Sequence, residues 1–488
     1  MGSYLLVFFI GAIAAGMGTP LWMAIGVRAG AVDDTRQPPV PRVGGWAVFS
    51  GAAVSLLLVA VVFEPTGLTL LATSRSIGPV TLGAVGILVL GSVDDVIPVR
   101  ASIKLLGQVV IALAVYAMGV RIELLSFPPG NVPLDPIVSL VFTVVWLVGI
   151  TNAFNLLDGA DGVAAGSAFF SSAAIFIMSV ALGHPGIGLV AAAVAGSLLG
   201  FLPFNFPPAR AFLGDSGAMV TGFLLAGLAV EGSTKGPTLV AIAVPLVAFA
   251  VPLFDTTITL IRRAVAGQPL FQRDQGHVHH RLSGAGFSPR QVAGLIYAAS
   301  AGFALLSMFF INPGVRSFAV VLIVVGAATL LMVRFLRLHE INELARLARR
   351  GVLQPRSVAM NVQLRRASER LETVESLQDL QKGLAILFDE SEFDEVVLQV
   401  APSAERRGTS EIWHLRDGAF VGGAPEARAD EWEVLCPFEG ADWTGQLRLR
   451  RRLGRRSLMM DLNLFLEVVQ PALERAARRI ESPITART

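Results

Sequence analysis

Up to about residue 337 the chain is a succession of long apolar runs separated by short polar loops, and that alternation leaves few folds open. In lipid a backbone must satisfy its own N–H and C=O groups, so such runs are read as membrane helices, each needing about 20 apolar residues. Suitable runs centre on 3–26, 43–63, 78–93, 104–120, 137–151, 166–183, 188–204, 216–230, 238–260, 292–311 and 317–335, which predicts about eleven crossings. The 488 residues are 53% hydrophobic and only 16% charged, where a soluble protein carries about a quarter charged residues. Beyond 337 the charge returns. The expected organisation is a polytopic α-helical membrane domain over 1–337, a helical linker over 338–390 and a soluble α+β domain over 391–488. The N-terminus enters its apolar run without a basic region, as a retained first span rather than a cleaved signal peptide. The single cysteine, Cys436, excludes an intramolecular disulfide.

Lys and Arg in the loops set the orientation. One set of loops carries Arg28, Arg36, Arg42, Arg100, Lys104, Arg210, Arg262, Arg263, Arg273, Arg281, Arg290, Arg334 and Arg337; the other carries Arg75, Arg121, Lys235 and Arg316. The first set is therefore expected in the cytoplasm, with the N-terminus outside and the tail inside. All motif-like loops then fall on the cytoplasmic side: 27–42, 94–103, 152–165, 205–215 and 261–291. A transporter tends to hold its essential polar groups near the midplane. Polar loops gathered at one interface suit chemistry between a water-soluble substrate and a lipid, and an anion transporter is the rival of another class.

Four clusters carry the chemistry, each with a plainer alternative. In GSVDDVIPVRASIK, Asp94 and Asp95 are adjacent acids at the end of a span, with Lys104 ten residues on. They suit a Mg²⁺–diphosphate site or, equally, a solvated helix end. In NAFNLLDGADGVAAG, Asn152, Asn155, Asp158 and Asp161 surround two glycines, offering carboxylates for a metal or ribose and backbone N–H groups for an anion, or merely a polar turn. In FNFPPARAFLGDSG, Asn205 and Arg210 precede Asp215, which is either a helix cap or a metal ligand. In RDQGHVHHRL, His277, His279 and His280 hold three of the six histidines, beside Arg281. A phosphate-binding loop is the better reading there, and a zinc site the weaker one.

Together these segments resemble the polyprenyl-phosphate N-acetylhexosamine-1-phosphate transferase family. The matching pieces are VDDTRQPPVPRVGG (32–45), SVDDVIPVRASIKLLGQ (92–108), TNAFNLLDGADGVAAG (151–166), NFPPARAFLGDSG (205–217) and HVHHRL (277–282), in the family's order. The resemblance implies transfer of a sugar-1-phosphate from a UDP-N-acetylhexosamine to polyprenyl phosphate with release of UMP, using Mg²⁺, for which Mn²⁺ is a substitute. It implies catalytic or metal-binding roles for Asp94, Asp95 and Asp215, and nucleotide or substrate contacts for Asn155, Asp158, Asp161, Asn205, His277, His279, His280 and Arg281. Lys104 and Arg42 are the candidates for the lipid phosphate. Asp94 is expected to accept or orient that phosphate's remaining proton. The HVHHRL segment is similar to the undecaprenyl-phosphate N-acetylglucosamine-1-phosphate transferase branch, which starts cell-surface polysaccharides. The phospho-N-acetylmuramoyl-pentapeptide transferases of peptidoglycan synthesis are the alternative, although Arg281 breaks their all-histidine run. The first loop lacks the Arg-Lys-x-His pattern common in the family before PxPRxGG and offers only Asp33, Arg36 and Arg42. The resemblance also implies a bacterial inner-membrane location, a cytoplasmic site and no nucleic-acid partner.

In the tail, apolar residues at helical spacing over 338–388 precede the strand-like runs EVVLQV, EIWHL, EWEVLCPF and GQLRLRRRL, and a final helix over 457–480. This pattern loosely resembles GAF-type sensory domains and suggests regulation or a homodimer. The basic run 447–456 is either a lipid-headgroup contact or a charged edge strand.

Overall fold

A computed structural model of the chain describes residues 2–127, 130–233, 240–265, 277–310, 320–321, 323–328, 364–388, 393–402, 410–416, 418–423, 431–440, 442–452 and 462–480. The chain divides into two compact units, Met1–Thr259 with Arg273–Leu336, and Leu260–Gln272 with Arg337–Thr488.

The apolar runs form helices: α1 (Gly2–Ala29), α2 (Gly44–Val62), α3 (Glu64–Val96), α4 (Ala101–Ala117), α5 (Pro136–Leu157), α6 (Val163–Ala181), α7 (Pro185–Asn205), α8 (Gly214–Ser233), α9 (Val240–Ala248), α10 (Ala250–Val265), α11 (Val278–Gly284) and α12 (Pro289–Ser307). Two short antiparallel pairings lie between them, β1 (Val32–Asp33) with β2 (Val40–Pro41), and β3 (Leu124–Phe127) with β4 (Gly130–Pro133). Among the described residues, six helices, α1, α2, α3, α5, α6 and α7, are long and apolar enough to cross a membrane, while α4 and Ala250–Ile261 are shorter apolar helices. The protein is thus a multi-pass α-helical membrane protein with a strand-rich C-terminal region.

Three elements differ from expectation. Helix α3 starts at Glu64, not near 78; Pro65 sits in its first turn, where a missing N–H is harmless, and its 33 residues span about 50 Å. The run 238–260 divides into α9 and α10. Pro252 has no N–H to donate to the Ala248 carbonyl, and the Ser171 hydroxyl of α6 donates there instead, at 3.0 Å. Helix α5 continues through Leu157, so Asn152 and Asn155 lie on it and only 158–162 is a turn. Most of the expected span 317–335, and 338–363 of the linker, lie outside the described residues.

Helix α1 packs on α2 and α7, and α3 and α5 pack on α8. At Gly196 and Gly200 of α7 a Cβ would fall 2.0 Å from the carbonyl oxygens of Phe8 and Ala12. Small residues four apart let the backbones of α1 and α7 approach. Helix α8 is buried throughout 216–230, and its first residues, Gly214 and Asp215, line a cavity together with residues of the loops 33–42 and 158–161.

In the second unit a helical stretch, 364–371, and α13 (Leu377–Phe388) precede β5 (Glu395–Pro402), β6 (Glu411–Arg416), β7 (Ala419–Gly422), β8 (Glu431–Glu439) and β9 (Trp443–Arg452), followed by α14 (Leu462–Arg479). The antiparallel sheet has the order β7-β6-β5-β9-β8. One face, with Leu398, Leu447, Leu449 and Trp443, joins Leu384, Phe465 and Leu473 in a core. Cys436 is buried in it, and burial pushes its thiol up to about 11. Part of the basic run is strand β9: Arg448 donates to Gln399 at 2.8 Å, and Arg450 pairs with Glu395 and Glu433 at 3.3 Å each. Arg448 and Arg450 are therefore engaged within the sheet.

Candidate active site

Helix α8 begins on a sharp turn: Gly214 has φ +75°, and a Cβ there would fall 2.8 Å from Asp95 Oδ1 and 2.9 Å from Oδ2. A side chain is excluded on both counts. The first amides of a helix have no partner within it, and here an acid from another helix supplies one. Asp95, near the end of α3, accepts from the Asp215 N–H at 2.8 Å and the Ser216 N–H at 3.0 Å. Its neighbour Asp94 accepts from the Val99 N–H at 2.7 Å and from Lys104 Nζ at 2.6 Å, and the same ammonium lies 3.1 Å from Asp215. The sequence-predicted acids 94, 95 and 215 thus form one network with Lys104 at its centre. Asp94 and Asp95 are 8% and 5% exposed; Asp215 faces a cavity.

That cavity, of about 390 Å³, is lined by Asp33, Thr35, Arg36, Arg42, Asn155, Asp158, Gly159, Ala160, Asp161, Phe212, Gly214 and Asp215. The first loop contributes four of these residues, among them Arg42, the candidate for the lipid phosphate. Arg36 donates through both terminal nitrogens to Asp161, at 2.8 and 2.9 Å, and its guanidinium lies 4.9 Å from the Phe212 ring centre. The Ala209 N–H also donates to Asp161, at 2.9 Å, so both oxygens of this carboxylate are engaged. Arg42 pairs with Asp33 at 3.2 Å. Burial would raise the Asp33 carboxyl, but Thr35 and Arg42 outweigh it and hold the group below its ordinary value. The turn carrying Asp158 and Asp161 is pinned from α12 by Tyr297, which donates to the Gly162 carbonyl at 2.8 Å.

Asp158 is the lining carboxylate with no ion pair among the described residues. Burial first, then the charges of Asp215 and Asp95, push its carboxyl well above the usual range. Four carboxylates face two guanidiniums around the cavity, an excess that favours a cation. All the candidate donors are oxygen atoms, and no group of three His, Cys, Asp or Glu among the described residues could hold a metal ion alone. This fits Mg²⁺, which is commonly bound by one or two carboxylates, water and a substrate's phosphates rather than by an all-protein cage. Asp158 and Asp215 are the residues that would hold it.

The remaining predicted residues lie off the cavity wall. Asn205, buried at the end of α7, donates to the Ala211 carbonyl at 2.9 Å and shapes the loop before α8. His277 Nδ1 lies 2.9 Å from Asp255 Oδ2, and Asp255 Oδ1 accepts from the Val278 N–H at 2.8 Å. The carboxylate fixes the His277 proton on Nδ1 and caps the short helix α11. His279 is buried; burial first, then the charge of His280, lowers its imidazole to about 4, so it is neutral near pH 7. His280 is exposed and Arg281 half-buried. Asp255 was not anticipated from sequence, its one signal being an acid inside the apolar run VPLFDTTITL.

The molecule so defined is a multi-pass helical membrane protein with an acidic, arginine-flanked cavity where helix ends meet. The pattern defining glycosyl transferase family 4 matches residues 77–233. A Bacillus subtilis protein named probable undecaprenyl-phosphate N-acetylglucosaminyl 1-phosphate transferase is 36% identical over 285 residues, covering 57% of this chain and 77% of the relative. A Mycolicibacterium smegmatis decaprenyl-phosphate N-acetylglucosaminephosphotransferase is 32% identical over 366 residues, 68% of this chain and 88% of the relative. A phospho-N-acetylmuramoyl-pentapeptide-transferase of Halalkalibacterium halodurans is 30% identical over 285 residues, 55% and 82% of the two chains. The chain belongs to glycosyl transferase family 4, the polyprenyl-phosphate N-acetylhexosamine-1-phosphate transferases that its motifs resemble.

Proposed function

We propose that this protein transfers N-acetylhexosamine-1-phosphate, with N-acetylglucosamine as the sugar, from a UDP-sugar to polyprenyl phosphate and releases UMP. The observation that carries the reading is the cavity, in which Asp158 and Asp215 face Arg36 and Arg42 at the ends of membrane helices. The names of the two N-acetylglucosamine-phosphate relatives support the substrates. The apolar runs support eleven crossings of a bacterial inner membrane, and positive charge in one set of loops supports a cytoplasmic cavity and tail.

In the reaction a lipid phosphate oxygen bonds to the phosphorus that bears the sugar, and the bond to UMP breaks, its electron pair leaving with UMP. Both reactants are anionic, so charge neutralisation and positioning dominate catalysis. Mg²⁺, or Mn²⁺ in its place, would neutralise the diphosphate and the departing oxygen, held by Asp158 and Asp215. Asp95 fixes the first turn of α8 and thereby aims Asp215. Lys104, held by Asp94, presents an ammonium to the lipid phosphate, and Arg42 lines the same cavity as Asp215. The Arg36–Asp161 pair, also on the lining, is placed to meet the nucleotide.

Purified protein with undecaprenyl phosphate should release UMP from UDP-N-acetylglucosamine and not from UDP-N-acetylmuramoyl-pentapeptide; the reverse preference would favour the muramoyl reading, which rests on the third relative. Absence of UMP with both donors would overturn the transferase reading. Asp215→Asn should abolish release, and full turnover by that variant would remove Asp215 from the mechanism.

A further inference from the structure

His279 sits behind the cavity wall rather than on it. Its side chain belongs to a residue 4% exposed, and among the described residues neither ring nitrogen has a hydrogen-bond partner. The ring lies against Gly159: a Cβ there would fall 2.6 Å from His279 Cε1 and 2.8 Å from Nε2. Gly159 itself lines the cavity between Asp158 and Asp161. The imidazole has little room to retreat. It stacks on His277, with 5.7 Å between ring centres and 4° between planes, and meets His280 at 4.3 Å. His277 is in turn anchored to Asp255. Packed contacts therefore run from α10 through two imidazoles to the turn that carries the cavity's carboxylates.

We propose that His279 is a positioning residue that sets the depth of the Gly159 turn, and with it the placement of Asp158 and of the Asp161–Arg36 pair around a nucleotide diphosphate, without itself touching the substrate. The inference rests on the proposed donor class. A phosphate-gripping histidine would stand on the cavity wall with a ring nitrogen turned to the ligand. His279 instead presses a ring edge on a backbone that has no side chain.

A double-mutant cycle of Gly159→Ala and His279→Ala tests this in the full-length protein. Each variant is read by kcat and KM for UMP release and by the Kd of UDP. Gly159→Ala should weaken UDP binding and raise KM by about tenfold with kcat within about threefold, and in the His279→Ala background the same alanine should cost less than about twofold. Equal penalties in both backgrounds would overturn the inference. So would His279→Ala losing kcat by about a hundredfold with UDP affinity intact, the mark of a group acting on the reacting atoms. Should His279→Ala not purify, His279→Asn makes the same cut in ring volume and carries the same two expectations. Wild-type protein that binds UDP yet forms no UMP would overturn the transferase reading alone, the UDP cycle still deciding the role of His279. Wild-type protein that does not bind UDP would overturn both.

Discussion

At the scale of single residues, Gly214 carries a constraint that any substitution exposes. An alanine there would take a left-handed backbone angle and push the Asp95 carboxylate off the amides of Asp215 and Ser216. The backbone component alone costs roughly 1–2 kcal/mol, so Gly214→Ala should lower the thermal midpoint in detergent and the rate of UMP release together. His279 gives a pH prediction with a definite sign. Its folded value of about 4 lies below the ordinary 6.5, so the unfolded chain binds the extra proton between those values. Stability is therefore lost as pH falls from 6.5 toward 4, and His279→Gln should show a smaller drop in midpoint between about pH 7 and pH 5 than the wild type. Residues of this kind differ in legibility. Asp158 and Asp215 announce themselves as acids among glycines in an apolar chain. Asp255 does not, because a single acid in a span has no spacing to set it apart until its partner His277 is brought beside it.

At the scale of elements, α11 depends on a carboxylate from α10, because its own first residue gives it no side-chain cap. Asp255→Asn keeps the shape but leaves an amide that cannot accept at both positions, at a cost of about 1–3 kcal/mol. The expected outcome is a raised KM for the UDP-sugar with kcat nearly unchanged; a fall in kcat at constant KM would instead give Asp255 a direct part in the chemistry. Helix positions were largely readable from apolar length, since lipid imposes it. Helix ends were less so. The start of α3 at Glu64 and the division around Phe249 both follow from prolines whose effect depends on which carbonyls find other donors, as Ala248 does in Ser171. The first loop shows only part of the family's pattern, and Arg36 in it is placed by Asp161, 125 positions away in sequence. No local pattern predicts such a partner.

At the scale of the molecule, the division into two units predicts that a chain ending at Leu336 keeps its transferase activity. UMP release from that variant, together with its oligomeric state, separates a role of the tail in assembly from one in turnover; loss of activity with the fold intact would make the tail part of the working enzyme. The acid-rich cavity predicts that a chelator stops UMP release and that added Mg²⁺ or Mn²⁺ restores it, measured on one preparation. The link between α3 and α8 bears finally on biosynthesis. Asp95 leaves the ribosome 120 residues ahead of the amide at Asp215 that it accepts from. The acceptor is thus already at the membrane when α8 is made, and the N-terminus of α8 can find its partner on arrival. Until then Asp95 lacks those two amides, so nascent chains stopped before α8 should expose this carboxylate to labelling reagents that chains extended beyond it no longer admit.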